Sequence, residues 1–390
     1  MVKEAQPLVQ VKDLVVRFYT YEGVVKALSG VNLDIKEGET LGLVGETGCG
    51  KSVTAFSIIA LPPPPGKIEK GDILMKSNGG LINILKLPKE KLQDIRGHKI
   101  SMIMQEPSAA LNPLYTIGEQ VSEVLLRHRP ETLVKTVLQE LGRDIEAAEK
   151  KGLKFRARVY RTYAGIYQSL LKNQRAWKVR MASKIPFLRR YRRRLDSVLR
   201  REVVGLLKEM RIANPEGVYD LYPHELSGGM QQRAVIAMAI ACHPRLLIAD
   251  EPTTSLDVTV QAQILDLIRE LKKEFGSSVL YITHNLGVVA EICDRVAVMY
   301  AGQVCEVAEV KELFKRQKHP YTRSLFQAIP RPGRGFVSIK GTVPNLVNPP
   351  PGCRFHPRCP KAMKICSKET PSPVEVRKNH LVYCHLYGGD

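Results

Sequence analysis

Long apolar runs are missing from this chain: none approaches the roughly 18–20 residues that a helix needs to cross a bilayer. The opening residues, Met1-Val2-Lys3-Glu4-Ala5-Gln6-Pro7, lack the apolar core of a secretory signal. A soluble cytosolic chain is the expectation. Cys-x₂-Cys knuckles, which favour structural zinc, are also absent. Acidic residues are scarce: 39 Asp and Glu face 59 Lys and Arg, a formal net charge of +20 that points to a polyanionic partner. The shortage is local. Residues 127–201 hold 22 Lys and Arg against 6 Asp and Glu, which leaves about +4 for the rest of the chain.

What is present organises itself around one stretch. Gly45-Glu46-Thr47-Gly48-Cys49-Gly50-Lys51-Ser52 fits the phosphate-loop pattern G-x-x-x-x-G-K-[ST] at every fixed position. An apolar run, Leu41-Gly42-Leu43-Val44, enters it as a strand would, and the residues from Val53 to Ala60 leave it as a helix. A glycine-rich turn between strand and helix lets backbone N–H groups converge on phosphates, and the helix N-terminus adds partial positive charge. In that arrangement Lys51 reaches the β- and γ-phosphates and Ser52 ligates Mg²⁺.

Along the chain, residues 8–44 read as short strands, and further short strands follow between 66 and 104, the last ending at Gln105. Residues 114–240 read as mainly helical. Within them Ser227-Gly228-Gly229 opens a helical run, so Ser227 is either an ordinary N-cap or part of a second anion site. The run Leu246-Leu247-Ile248-Ala249 is a buried strand ending in Asp250-Glu251. Two buried acids repel unless a cation intervenes, and Mg²⁺ with a water to be activated resolves that repulsion. Another buried strand, Val279-Leu280-Tyr281-Ile282-Thr283, is followed by His284. Polar groups at the C-terminal ends of several strands match the way open α/β sheets bind ligands.

The phosphate loop, Gln105, the string Leu226-Ser227-Gly228-Gly229-Met230-Gln231-Gln232-Arg233, Asp250-Glu251, Asp257 and His284 occur in one order that resembles an ABC-transporter ATPase subunit. The tail, from His319-Pro320-Tyr321-Thr322 to Gly352-Cys353-Arg354-Phe355-His356-Pro357-Arg358-Cys359, is similar to the C-terminal extension of the oligopeptide/dipeptide importers. Only residues 129–197 depart from that subfamily, which has a shorter connection there. The resemblance implies an α/β P-loop NTPase (RecA-like) core with an antiparallel β subdomain. It implies an ATPase domain over residues 1–310 with a helical subdomain at about 106–240, and an irregular cysteine-containing extension over 311–390.

The site residues follow from the same resemblance. Gly45, Glu46, Thr47, Gly48, Cys49, Gly50, Lys51, Ser52 and Val53 would bind ATP, with Phe18 (or Tyr19 or Tyr21) stacking on adenine. Ser52, Gln105 and Asp250 would hold Mg²⁺, Glu251 would act as general base, and His284 would contact the γ-phosphate. Asp257 would sit at a subunit boundary, and Ser227-Gly228-Gly229 would close on the ATP of a second ABC ATPase subunit. The implied partners are two transmembrane permease subunits and, indirectly, an extracellular solute-binding protein, with this chain on the cytoplasmic face of the membrane. The implied function is ATP hydrolysis driving import of di- and oligopeptides. The alternatives are import of oligosaccharides or other solutes, or a soluble ABC ATPase acting on nucleic acid or ribosomes.

Two features lie outside the nucleotide site. Cys353, Cys359, Cys366 and Cys384 offer four thiolates that could wrap one centre, a [4Fe–4S] cluster as in some members of the resembled subfamily, or Zn²⁺; free or disulfide-bonded cysteines are the plain alternative. The basic insertion, about residues 129–197, interleaves cations with Phe155, Tyr160, Tyr163, Ile166 and Tyr167 in the manner of an amphipathic helical hairpin. It reads as a solvated charged hairpin, a contact for anionic lipid, or a nucleic-acid surface.

Overall fold

A computed structural model describes residues 7–77, 79–172, 191–254, 256–329 and 339–388. Two compact units emerge, one from Met1–Gln105 with His243–Asp390 and the other from Glu106–Cys242.

The first unit contains two sheets. Strands β1 (Pro7–Thr20), β2 (Gly23–Lys36), β4 (Gly66–Ser77) and β5 (Gly80–Asn83) form an antiparallel sheet in the order β2-β1-β4-β5. The short runs expected over residues 8–18 are one long strand interrupted by bulges. At the bulge between Val11 and Leu14, Asp13 adopts φ +45°, and its side chain and backbone N–H exchange hydrogen bonds with Asn32 at 3.1 and 3.0 Å.

The second sheet has eight strands. Five are parallel: β3 (Thr40–Val44), β6 (Ile100–Ile103), β7 (Leu246–Asp250), β8 (Ser278–Ile282) and β9 (Arg295–Tyr300). Antiparallel β10 (Gln303–Glu309), β11 (Pro373–Arg377) and β12 (His380–Tyr383) complete the order β11-β12-β10-β9-β3-β8-β7-β6. β3, β7, β8 and β9 are buried at every position, which is why they read as continuous apolar runs instead of alternating ones. One core joins both sheets, with Val9, Val16 and Leu33 packed in the same cluster as Leu41, Leu43 and Ile248. The parallel topology sends the C-terminal ends of β3, β6, β7 and β8 to one side, and there lie the phosphate loop, Gln105, Asp250-Glu251 and His284.

Among its described residues, much of the C-terminal extension lacks regular structure, but β11 and β12 join the main sheet through β10. A polar contact holds that junction: His380 Nε2 lies 2.7 Å from Glu306 Oε1, with both side chains almost fully buried. Glu306 also accepts the backbone N–H groups of Lys318 and His319, at 2.8 and 2.9 Å. A buried carboxylate with three donors is satisfied where a lone one would be expelled.

The second unit is helical. Helix Ile117–His128 starts at a capping box made by Thr116 and Glu119. Helices Pro130–Lys150 and Lys154–Lys172 form a hairpin, and Arg192–Glu209 follows. The hairpin helix buries Leu133, Val134, Val137 and Leu141, one face at helical spacing. Residues 173–190 of the basic insertion lie outside the described residues.

Candidate functional site

The loop after β3 turns because its glycines allow it. A Cβ on Gly45 would lie 2.2 Å from the carbonyl oxygen of Met299, and Gly50 caps the following helix, Lys51–Ile58, at φ +101°. Cys49 is fully buried under the loop, and burial pushes its thiol up, so it acts as a packing residue. Lys51, only 6% exposed, donates from Nζ to the carbonyls of Gly45 and Glu46 at 3.0 and 3.2 Å. One ammonium is thereby held across the mouth of the loop.

The strand ends supply the remaining charge. Asp250 closes β7 in a buried position, and its Oδ1 accepts from Ser52 Oγ at 3.1 Å. Burial raises the Asp250 carboxyl above its ordinary range, the Ser52 bond pulls it back, and Glu251 adds to the rise. Glu251 takes φ +45°, a left-handed conformation that costs a glutamate about 1–3 kcal/mol. Its backbone N–H donates to Ile282 O at 3.0 Å, which ties it to β8. Its Oε1 lies 3.2 Å from His284 Nδ1, and its Oε2 accepts from Thr254 Oγ1 at 2.9 Å. The carboxylate is largely covered, while the His284 ring is more than half exposed.

Lys51, Ser52, Gln105, Glu251, His284 and Phe18 line one open cleft of about 640 Å³, and buried Asp250 joins it through its hydrogen bond with Ser52. Tyr19 and Tyr21 do not line it: Tyr19 hydrogen-bonds Glu69, and Tyr21 is almost wholly exposed. Ser227 and Asp257 serve locally as N-caps. Ser227 Oγ accepts from Met230 N at 3.4 Å, and Asp257 Oδ1 accepts from Val260 N at 2.9 Å. Ser227 with Gly228 and Gly229 belongs to the helical unit, and Asp257 to the other. Thr254 escaped the sequence reading because nothing in a single threonine signals a carboxylate partner. Leu346, which also lines the cleft, escaped because it comes from the tail.

The sequence matches the family model described as ABC transporter over residues 28–254, more than half of the chain. The chain belongs to the ABC transporter family. A second match, described as oligopeptide/dipeptide transporter, C-terminal region, covers residues 305–366. This ABC ATPase is 39% identical to the dipeptide transport ATP-binding protein DppD of Bacillus subtilis, over 98% of this chain and 95% of the relative. It is 41% identical to the oligopeptide transport ATP-binding protein OppD of Escherichia coli, over 95% and 90% of the two chains. Among solved structures, the ATP-binding cassette MJ0796, dimeric and bound to ADP and Pi, gives a TM-score of 0.51 at 25% identity. The match covers 77% of this chain and 98% of that one. The cbiO1 protein from Clostridium perfringens gives 0.52 at 24%, over 80% and 92%. The chain is an ATP-binding subunit of an ABC transporter, and ATP hydrolysis is the general activity of its family. No described helix of the ABC ATPase is long and apolar enough to cross a membrane.

Mg²⁺ fits the residues present. A buried Asp250 whose carboxyl is raised by desolvation, hydrogen-bonded to a serine hydroxyl, offers the hard oxygen donors that Mg²⁺ takes. The expected [4Fe–4S] or Zn²⁺ centre finds no such support. Among the described residues no group of three or more His, Cys, Asp or Glu side chains is arranged to hold a metal ion. Cys353, Cys359, Cys366 and Cys384 are free thiols. Burial pushes Cys353 up to about 11 and raises Cys359 and Cys384, each rise enlarged by neighbouring tail cysteines. Cys353 and Cys359 pack against the apolar cluster around Tyr321 and Phe355, and Cys366 and Cys384 are buried.

Proposed function

We propose that this chain binds and hydrolyses ATP to power the uptake of di- and oligopeptides through a membrane permease. The observation that carries the reading is the convergence of Lys51, Ser52–Asp250 and Glu251–His284 on one cleft at the strand ends. In this reading loop residues 45–53 cradle the phosphates, and Lys51 exchanges its carbonyl partners for phosphate oxygens. Phe18 packs on the base. Ser52, Asp250 and Gln105 hold Mg²⁺, which when bound neutralises charge on the β- and γ-phosphates. Glu251 takes a proton from the attacking water, steadied by Thr254 and His284, and His284 also reaches the γ-phosphate.

Ser227, Gly228 and Gly229 act on ATP held by a second ATPase subunit, and Asp257 lies at that boundary. We read residues 1–310 as the ATPase domain and 311–390 as its importer-type extension. The subunit works at the cytoplasmic face of the membrane with two permease subunits and, through them, a solute-binding protein. The C-terminal match and the peptide-transport relatives support peptide over other solutes. Reconstitution with the permease and binding protein tests this: peptide is expected to stimulate ATP hydrolysis several-fold. Stimulation by oligosaccharide but not by peptide would overturn the cargo reading.

A lipid contact through the basic insertion is favoured by the hairpin tip. Leu153 and Phe155 are exposed there, flanked by exposed Lys150, Lys151, Lys154, Arg156 and Arg158. An apolar tip ringed by cations suits an anionic bilayer surface better than water. Lysines near such a surface contribute about 1 kcal/mol each, so replacing Lys150, Lys151 and Lys154 by Ser should weaken binding to phosphatidylserine vesicles by about a hundredfold. Unchanged co-sedimentation would refute the contact.

A further inference from the structure

A carboxylate stands inside the anion-binding loop, and the tail neutralises it. Glu46 is the second residue of the phosphate loop. Its Oε2 and Oε1 accept from Arg358 Nη1 at 3.1 and 3.3 Å. The Arg358 side chain is only 7% exposed, and its position is fixed from several sides. Nε donates to Lys340 O at 2.9 Å, Nη2 to Ile339 O at 3.4 Å, and Nη1 also to Tyr300 Oη at 3.2 Å. Tyr321 adds a second hold by accepting the backbone N–H of Glu46 at 3.0 Å. The carbonyl of Glu46 in turn accepts from Lys51. Arg358, Glu46 and Lys51 therefore form one continuous series of polar contacts from the tail to the phosphate-binding lysine.

We propose that Arg358 is a positioning residue for nucleotide, cancelling the Glu46 charge and holding the loop in shape for the polyphosphate. The inference rests on the ATP reading of the cleft. Without the guanidinium, an unpaired carboxylate within the loop would repel the incoming phosphates at short range, and the loop would lose its side-chain anchor to the tail. A tether that only secured the tail would need neither the charge nor Glu46. The two roles therefore separate experimentally.

In the full chain, Arg358→Gln is expected to raise the Kd for MgATP by about tenfold to a hundredfold, the range expected for a lost charge-assisted hydrogen bond. KM should rise in parallel, with kcat changed much less. Arg358→Lys keeps the charge but not the fork and should recover part of the loss. The deciding variant is Glu46→Gln in the Arg358→Gln background. Removing the orphaned carboxylate should bring Kd back to within a few-fold of the unmodified protein, and raising the salt concentration should shrink the single-variant defect. Arg377→Gln, a tail arginine paired instead with Glu312 at the surface, should leave Kd unchanged. Equal Kd values for unmodified protein and Arg358→Gln would overturn the proposal. So would a double variant as weak as Arg358→Gln alone. If Arg358→Gln does not fold, Glu46→Gln against an otherwise unmodified chain decides. Residue 46 cradles phosphate through its backbone, which the substitution keeps, so charge cancellation predicts MgATP binding at least as tight as the parent's, and a tenfold loss would overturn the idea. Failure of the unmodified chain to bind MgATP would sink the ATP reading itself.

Discussion

Glu251→Gln is expected to lower kcat for ATP hydrolysis by about 10²–10⁴-fold, the range for a lost general base, while leaving MgATP affinity intact. The substitution is nearly isosteric, and the amide can still meet Thr254 and His284, which lie 2.9 and 3.2 Å from the carboxylate. What it cannot do is accept a proton. A glutamate at φ +45°, tied to β8 through Ile282, is held in a costly conformation. Asp250 and Ser52 are untouched by the change, so the cation and phosphate contacts should persist. Steady-state turnover and a nucleotide-binding titration on the same preparation check both halves. Retention of more than about a tenth of the activity would remove Glu251 from the proton-transfer role.

The second large effect concerns stability. Arg295→Met should destabilise the first unit by about 3–5 kcal/mol, because it strands a buried carboxylate without its cation. Arg295 opens β9, and its Nη1 donates to both oxygens of Glu39 at 2.9 and 3.2 Å. Nη2 reaches Asp34 at 3.3 Å. Arg295 and Glu39 are each 9% exposed at the side chain, whereas Asp34 is about a third exposed, so most of the cost falls on Glu39. Burial alone would lower the arginine's pKa, yet the Glu39 and Asp34 carboxylates beside it hold it above its ordinary value. A urea midpoint measured by far-ultraviolet circular dichroism reads the loss. A shift worth less than about 1 kcal/mol would mean that the pair behaves as an exposed one. The pair joins the end of β2 to β9 beside the approach to β3, so a weakened unit should also bind nucleotide less well.

Legibility tracked how local each feature is. β3, β7 and β8 were readable because a strand buried on both faces must be apolar along its length. The phosphate loop was readable because its glycines answer local demands. One is the carbonyl of Met299 against Gly45, another the left-handed cap at Gly50. Asp250 and Glu251 were readable as acids at a strand end, and Phe18, unlike Tyr19 and Tyr21, is among the residues that line the cleft. The single long β1 was not readable, since a bulge at Asp13 looks in sequence like the gap between two strands. The pairing of β12 with β10 was hidden in a Pro- and Gly-rich tail. Nothing local says that His380 will bury itself against Glu306. The spacing of the four tail cysteines permits a metal centre, yet spacing does not decide assembly: among the described residues no group of three or more His, Cys, Asp or Glu side chains is arranged to hold a metal ion.

By itself, then, the amino-acid order determined the chemistry that neighbouring residues can build: a phosphate loop between strand and helix, an acid pair at a strand end, caps, and a basic helical hairpin. Each depends on contacts within a few residues, and short-range geometry leaves little choice. Only the tertiary structure decided what faces that chemistry. It set Thr254 and His284 on Glu251, brought Leu346 into the cleft and closed Arg358 over Glu46, a pair 312 residues apart in the chain. Such contacts follow from strand order and the packing of the tail on the sheet, and these leave no periodic trace in the residues that finally meet.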